Sequence, residues 1–174
     1  MVASVLCGVD VLAMASTWLP GEQTVPKWLV VGLFVAVFPV FLLALIRTFV
    51  GGAGHRLLGR HNAGRFAGYL RLLPPALKLS YALVLCLAVL GFATGASAAE
   101  DVQADASGHY YTHWDSAALH SVRVDLTEPE YYEALKAQFR LLSAGPAVFY
   151  AISSLLVLAA ATVAAARART ATRT

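Results

Sequence analysis

The sequence predicts an all-α membrane protein: four transmembrane helices, with a small extracytoplasmic β-hairpin and an amphipathic helix between the third and the fourth. Three observations carry this expectation. Of the 174 residues, 59% are hydrophobic and 13% charged, where soluble proteins have about 45–50% and 25%. The apolar residues fall into four blocks, at about residues 1–19, 28–50, 75–98 and 146–166. Eight of the ten acids (Glu100, Asp101, Asp105, Asp115, Asp125, Glu128, Glu130 and Glu133) lie in one interval, 99–145. The mean hydropathy of +0.66 agrees. Arg outnumbers Lys ten to three, yet the net charge is only +3, so the composition carries no nucleic-acid footprint.

Residues 1–19 are apolar apart from Asp10 at the centre and lack the basic region that opens a cleavable signal peptide. A central Asp costs about 2.5–3.5 kcal/mol on insertion scales, which the flanking Val, Leu, Met and Trp residues offset. A membrane crossing is therefore favoured over an interfacial helix, with Asp10 as an intramembrane polar contact between helices. Residues 28–50 hold only Arg47 as a charge and are long enough for about 30 Å of hydrocarbon at 1.5 Å per residue.

The interval 51–74 carries Arg56, Arg60, Arg65 and Arg71 and no acid, which makes it a cytoplasmic loop by the positive-inside rule. Its glycines lack the Gly-Lys-Ser/Thr ending of a phosphate loop, so no nucleotide site is expected. Its arginines, interleaved with Leu57, Leu58 and Phe66, suit an anionic lipid surface. The third helix opens at Pro74-Pro75 and is anchored by Lys78, whose stem can snorkel to the interface. Near its end Gly91-Phe92-Ala93-Thr94-Gly95 forms a small-xxx-small face for close helix packing. Ala96-Ser97-Ala98 has the form of a signal-peptidase site, but a small-residue helix end accounts for it. Gly145-Pro146 reads as a stop followed by a new start, and residues 146–174 supply the last helix with a basic tail, Arg167, Arg169 and Arg173. Both termini are then cytoplasmic, in a multi-pass protein of the inner (plasma) membrane, with the acidic segment outside.

Within that segment, residues 109–114 and 120–126 alternate and are rich in β-favouring residues, with a turn expected at Asp115-Ser116-Ala117-Ala118. Facing positions would sum to 233, placing His113 opposite His120. Thr127-Glu128-Pro129-Glu130 has the form of a capping box, in which the Thr hydroxyl takes a free amide and Glu130 reaches back. Tyr131, Leu135, Phe139 and Leu142 then form one apolar stripe, with Glu133, Lys136 and Arg140 off it.

Several of these segments taken together, Pro26-Lys27-Trp28, the run from Val31 to Pro39, His109-Tyr110-Tyr111, Thr127-Glu128-Pro129-Glu130-Tyr131 and the run from Ser143 to Tyr150, resemble a family of small, uncharacterised, actinobacterial-type four-helix integral membrane proteins. The resemblance implies four helices and no particular activity. Relatives often read Ser-Gly-His-Trp before the last helix. Gly145 and Pro146 stand here at the His and Trp positions, so any role of that His is absent.

The only cluster suited to chemistry is His109, His113, Asp115 and His120. Two facing imidazoles leave a zinc site underfilled, because such sites want three or four protein ligands. No metal, cofactor or catalytic residue is expected, and no nucleophile or carboxylate pair points to an enzyme. Cys7 and Cys86 lie in apolar runs and read as buried small hydrophobes. Tyr110, Tyr111, Trp114, Tyr131 and Tyr132 suit either an interfacial belt or a partner-contact surface. The expected role is that of a non-enzymatic, partner-binding or accessory envelope protein in the lipid bilayer. The alternative is a subunit of a transport or channel assembly.

Overall fold

The structure is a computed structural model and describes residues 2–21, 25–50, 73–96, 101–116 and 119–171. Its elements are α1 (Val2–Ser16), α2 (Lys27–Val50), α3 (Pro75–Ala96), β1 (Val102–Asp105), β2 (Gly108–Asp115), β3 (His120–Leu126) and α4 (Glu128–Ala171). α2, α3 and the Glu128–Thr162 portion of α4 are long and apolar enough to cross a membrane. α1 is apolar but shorter, 15 residues, or about 22 Å of helix. The basic interval 51–72 and the Ala96-Ser97-Ala98 site, beyond its first residue, lie outside the described residues.

α4 is the element on which the other three helices pack, and its neighbours fix the direction of each. Ser4 near the start of α1 and Tyr81 near the start of α3 both meet Ser154 on α4, at 2.9 and 3.0 Å. At their other ends, Thr17 meets Arg140 and Gly95 meets Ala137 and Leu141. α1 and α3 therefore run antiparallel to α4. α2 runs parallel to it: Val30 joins the cluster of Tyr131, Leu135 and Phe139, further along Leu33 and Val37 cluster with Tyr150 and Ala151, and Arg47 lines one cavity with Ser154 and Ala161. The small-residue face acts as expected. A Cβ on Gly95 would stand 2.8 Å from both the Ala137 carbonyl and the Leu141 amide, and one on Gly91 2.8 Å from Met14 Sδ. Only hydrogen at Gly95 lets α3 lie this close to α4, and at Gly91 it leaves room for Met14 of α1.

The sequence reading of Gly145-Pro146 as a helix boundary is corrected: α4 is continuous for 44 residues with Pro146 inside it. Proline removes one amide donor, which would have served the Leu142 carbonyl, and crowds the preceding turn. Burial on both sides overrides that cost, since Ala144 and Ala147 are fully enclosed with Met14 and Ala88. The expected amphipathic helix and the last span are one rod. Pro39 is likewise accommodated within α2.

The hairpin is also corrected, to a three-stranded antiparallel sheet in the order β1-β2-β3. β1, pairing Val102 with Tyr111, has only four residues and no β-rich composition. β2 pairs with β3 in a register that opposes His113 to Val122 and Asp115 to His120. Facing positions sum to 235 rather than 233, which moves the connection to residues 116–119, where Leu119 takes φ +54°. A slip of two residues keeps every side chain on its own face, whereas a slip of one would invert them all. The inner face of the sheet, carrying Val102, Tyr111 and Leu126, covers Tyr131, Leu135 and Phe139 of α4 and Val30 of α2. A two-stranded ribbon would be marginal alone, and this apolar backing supplies what it lacks.

Candidate functional site

Two regions gather the residues that carry chemistry: the outward face of the sheet and the seam between α1 and α4.

The five aromatics expected to form one surface divide between two environments. Tyr131 is buried, and Tyr111 and Tyr132 pack with it beneath the sheet; Tyr131 and Tyr132 meet edge-on at 5.5 Å. Their alternation explains the split: Tyr111 points inward with Val102 and Val124, whereas Tyr110 and Trp114 share the outer face with Gln103, Ser121 and Arg123. On that face Tyr110 donates to Gln103 Oε1 at 3.0 Å, and the Arg123 guanidinium lies 3.7 Å above the Tyr110 ring. Arg123 also binds Asp105 at 2.8 Å and Asp125 at 2.9 Å. Asp105 accepts from Ser107 as well, and these donors hold its carboxyl well below the usual carboxylate range; the Arg123 guanidinium is correspondingly raised. Beyond this network Trp114 is 62% exposed and Leu119, at the adjoining turn, 73%. The outer face thus presents an ordered cation–π plate that ends in an uncovered indole.

The histidines do not converge. His109 stacks on Tyr131 with centroids 4.3 Å apart, His113 is exposed beside Val122, and His120 lies opposite Asp115. The facing of His113 and His120 is corrected by the register. No group of three potential metal ligands occurs among the described residues.

At the α1–α4 seam Asp10 is fully buried. The Ser143 hydroxyl approaches its carboxylate, but neither oxygen gains a hydrogen bond of ordinary geometry among the described residues. Nearby, Cys7 points its thiol at the Ala147 carbonyl, at 3.9 Å, and the Tyr150 hydroxyl donates to the Leu33 carbonyl at 2.6 Å. An isolated carboxylate in such a place is the costliest side chain in the bundle. The Ser143 hydroxyl of α4 is the polar group that faces it. Cys7 is buried as expected, while Cys86 is exposed on the outside of α3.

Two residues that sequence reasoning placed on a polar face belong to this seam. Lys136 is 1% exposed, with Nζ donating to the Leu19 carbonyl at 3.2 Å and paired with Glu133 at 3.0 Å. Arg140 donates to Thr17, and its guanidinium lies 5.6 Å from the Trp18 ring. Both side chains serve the carbonyl end of α1, where cations are favoured. The signal was in the spacing: Lys136, Arg140, Ser143 and Ala147 lie on one line down the helix, and small residues at Ala144 and Ala147 invite a close neighbour.

Comparison with protein-family models, with curated proteins and with solved structures finds no match to this chain.

Proposed function

We propose that the chain is an integral membrane protein of the cell's inner membrane that crosses four times, α1 included, and holds its three-stranded sheet outside as a docking face for another envelope protein. Both termini lie in the cytoplasm under this reading. The up-down-up-down course of the helices favours it, since α1 and α3 rise toward the sheet and α2 and α4 leave it. The positive-inside rule sets the same orientation, since in sequence the arginines of 51–74 follow α2 and those of the tail come at the end of α4, the two ends that point away from the sheet. Docking rests on one observation, the exposed Trp114 at the edge of a pre-ordered plate, because rigid aromatics with little entropy to lose make strong contact residues. No catalytic role is assigned.

The test has two arms. Single cysteines replacing Ser4 or Thr112, in a chain lacking Cys7 and Cys86, are probed with a membrane-impermeant maleimide on intact cells; position 112 is expected to react, and position 4 only after lysis. A photo-crosslinking residue at Trp114 is expected to yield one defined adduct in native membranes, lost when Arg123 is changed to Ala. Labelling of position 4 from outside, or adducts to lipid alone at position 114, overturns the corresponding part.

A second reading, a subunit of a transport or channel assembly, draws on Asp10 alone. Intramembrane acids without a local partner often serve a path for protons or ions. Asp10 lies inside the bundle of one chain, so a path would have to run along the α1–α4 seam, and Asp10→Asn would then abolish ion or proton movement by the assembly while leaving the chain folded.

A further inference from the structure

The bundle is closed at its sheet end and open at the other. Gly91 and Gly95 seat α3 directly on α4, while Lys136 and Arg140 hold the end of α1. Toward the opposite end the helices part around a cavity of about 490 Å³, to which every helix contributes a polar group: Ser4 from α1, Arg47 from α2, Tyr81 from α3 and Ser154 from α4. A second cavity of about 240 Å³ shares Ser4, Tyr81 and Ser154 and continues between α1 and α3 to Cys7 and Gly8. Gly8 lines this cavity and is exposed, and a Cβ there would meet nothing within 4 Å, so a larger side chain fits at that depth. Most of the remaining wall is aliphatic.

We propose that this crevice is a binding site for one anionic phospholipid of the cytoplasmic leaflet, its phosphodiester held by Arg47 and the hydroxyl cluster and an acyl chain running up toward Gly8. The proposal rests on the membrane orientation given above. Three features select the ligand. Arg47 makes no hydrogen bond or ion pair among the described residues, leaving a whole guanidinium fork for a phosphate. The three hydroxyls share two hydrogen bonds, Ser4 with Ser154 and Tyr81 with Ser154, so one O–H of the set is left to donate outward. The walls beyond them are apolar, which suits a chain and excludes a bare ion. Basic pockets between helices on the cytoplasmic side are general sites for anionic headgroups, and the joined volume lies in the range of ligand pockets.

The experiment is native mass spectrometry of the full chain released from non-ionic detergent after exposure to equal amounts of phosphatidylglycerol and phosphatidylcholine of the same acyl length. One phosphatidylglycerol per chain is expected, in preference to phosphatidylcholine. Arg47→Gln should reduce that preference about fivefold, the equivalent of one basic contact at the surface. Gly8→Leu, which fills the upper crevice and keeps the charge, should lower retention of both lipids. Lys27→Gln, a basic residue at the sheet end, should change neither. Inorganic phosphate at millimolar concentration should not displace the lipid. Equal retention of the two lipids, or an unchanged preference in Arg47→Gln, overturns the site, and displacement by phosphate overturns its assignment to a lipid. A chain that stays soluble without detergent and retains neither lipid overturns the membrane reading itself.

Discussion

Arg140 donates to Thr17 twice, from Nε to the hydroxyl at 3.1 Å and from Nη2 to the main-chain carbonyl at 2.9 Å, across 123 positions of sequence. The Thr17 hydroxyl in turn donates to the Met14 carbonyl at 2.6 Å. A helix of 15 residues is marginal alone, and this contact pins its last turn to α4. Arg140→Met, which keeps most of the apolar stem and removes every donor, should lower stability by about 2 kcal/mol. Unfolding in detergent micelles gives the figure, and amide exchange should rise first in residues 14–19. Unchanged exchange there would mean that the arginine does not hold α1.

The contact of α3 with α4 is tested at glycine. Gly95→Ala forces a methyl onto main-chain atoms 2.8 Å away and should cost roughly 1–3 kcal/mol. Gly32→Ala, at a position open to its surroundings, should be neutral or slightly stabilising, because alanine is the better helix former. Thermal unfolding of the pair, measured side by side, separates close approach from helix propensity.

Acid should loosen the sheet before the bundle. Asp105 has its folded pKa depressed by Arg123 and then by Ser107. A depressed folded pKa contributes stability above the unfolded value, about 3.9 for Asp, and that contribution is lost as pH falls from there toward the folded value. Trp114 fluorescence, in a chain with Trp18 and Trp28 changed to Phe, is the readout. Its change is expected to begin below about pH 4, to shrink in high salt because these groups are exposed, and to be weaker in Asp105→Asn.

The histidines are expected to differ in rank. His109→Ala removes a ring stacked on Tyr131 and should cost about 1 kcal/mol. His113→Ala touches an exposed side chain and should stay within about 0.5 kcal/mol. Elemental analysis of the purified wild type is expected to find no stoichiometric zinc; one zinc per chain, lost in a His113 and His120 double variant, would reverse the assignment of these residues.

Where the sequence was legible, a periodicity or a glycine spacing carried the information. The apolar blocks marked α1 to α3, and Gly91-x-x-x-Gly95 marked the face of α3 that meets α4. The capping box was half right: Glu130 does accept the Thr127 amide at 2.9 Å, but the Thr127 hydroxyl donates into the same oxygen at 2.7 Å rather than receiving an amide. What escaped is set by contacts far apart in the chain. Lys136 has the composition of a solvated face, and only the end of α1 makes a buried position favourable for it. β1 is too short for any pattern, and its place follows from the free edge of β2. Pro146 obeys local preference in isolation and loses to packing. The division of Tyr110 from Tyr111 was implicit in strand alternation; what was missing was the apolar helix that decides which face turns inward.

The unbroken course of α4 joins the sheet and the far end of the bundle in one stiff element. At 1.5 Å per residue its 44 residues extend about 66 Å, roughly twice the hydrocarbon thickness, and the sheet is bolted to one arm through Tyr131 and Leu126. A load applied at Trp114 would therefore pass into α4 rather than into a loop, toward the end where Ser154 joins Ser4 and Tyr81. Pro146 removes the main-chain rung to Leu142, so any bending of the rod would be expected there first. Replacing Pro146 with Ala should stiffen it, which spin-label distances between the two arms would register as a narrower distribution.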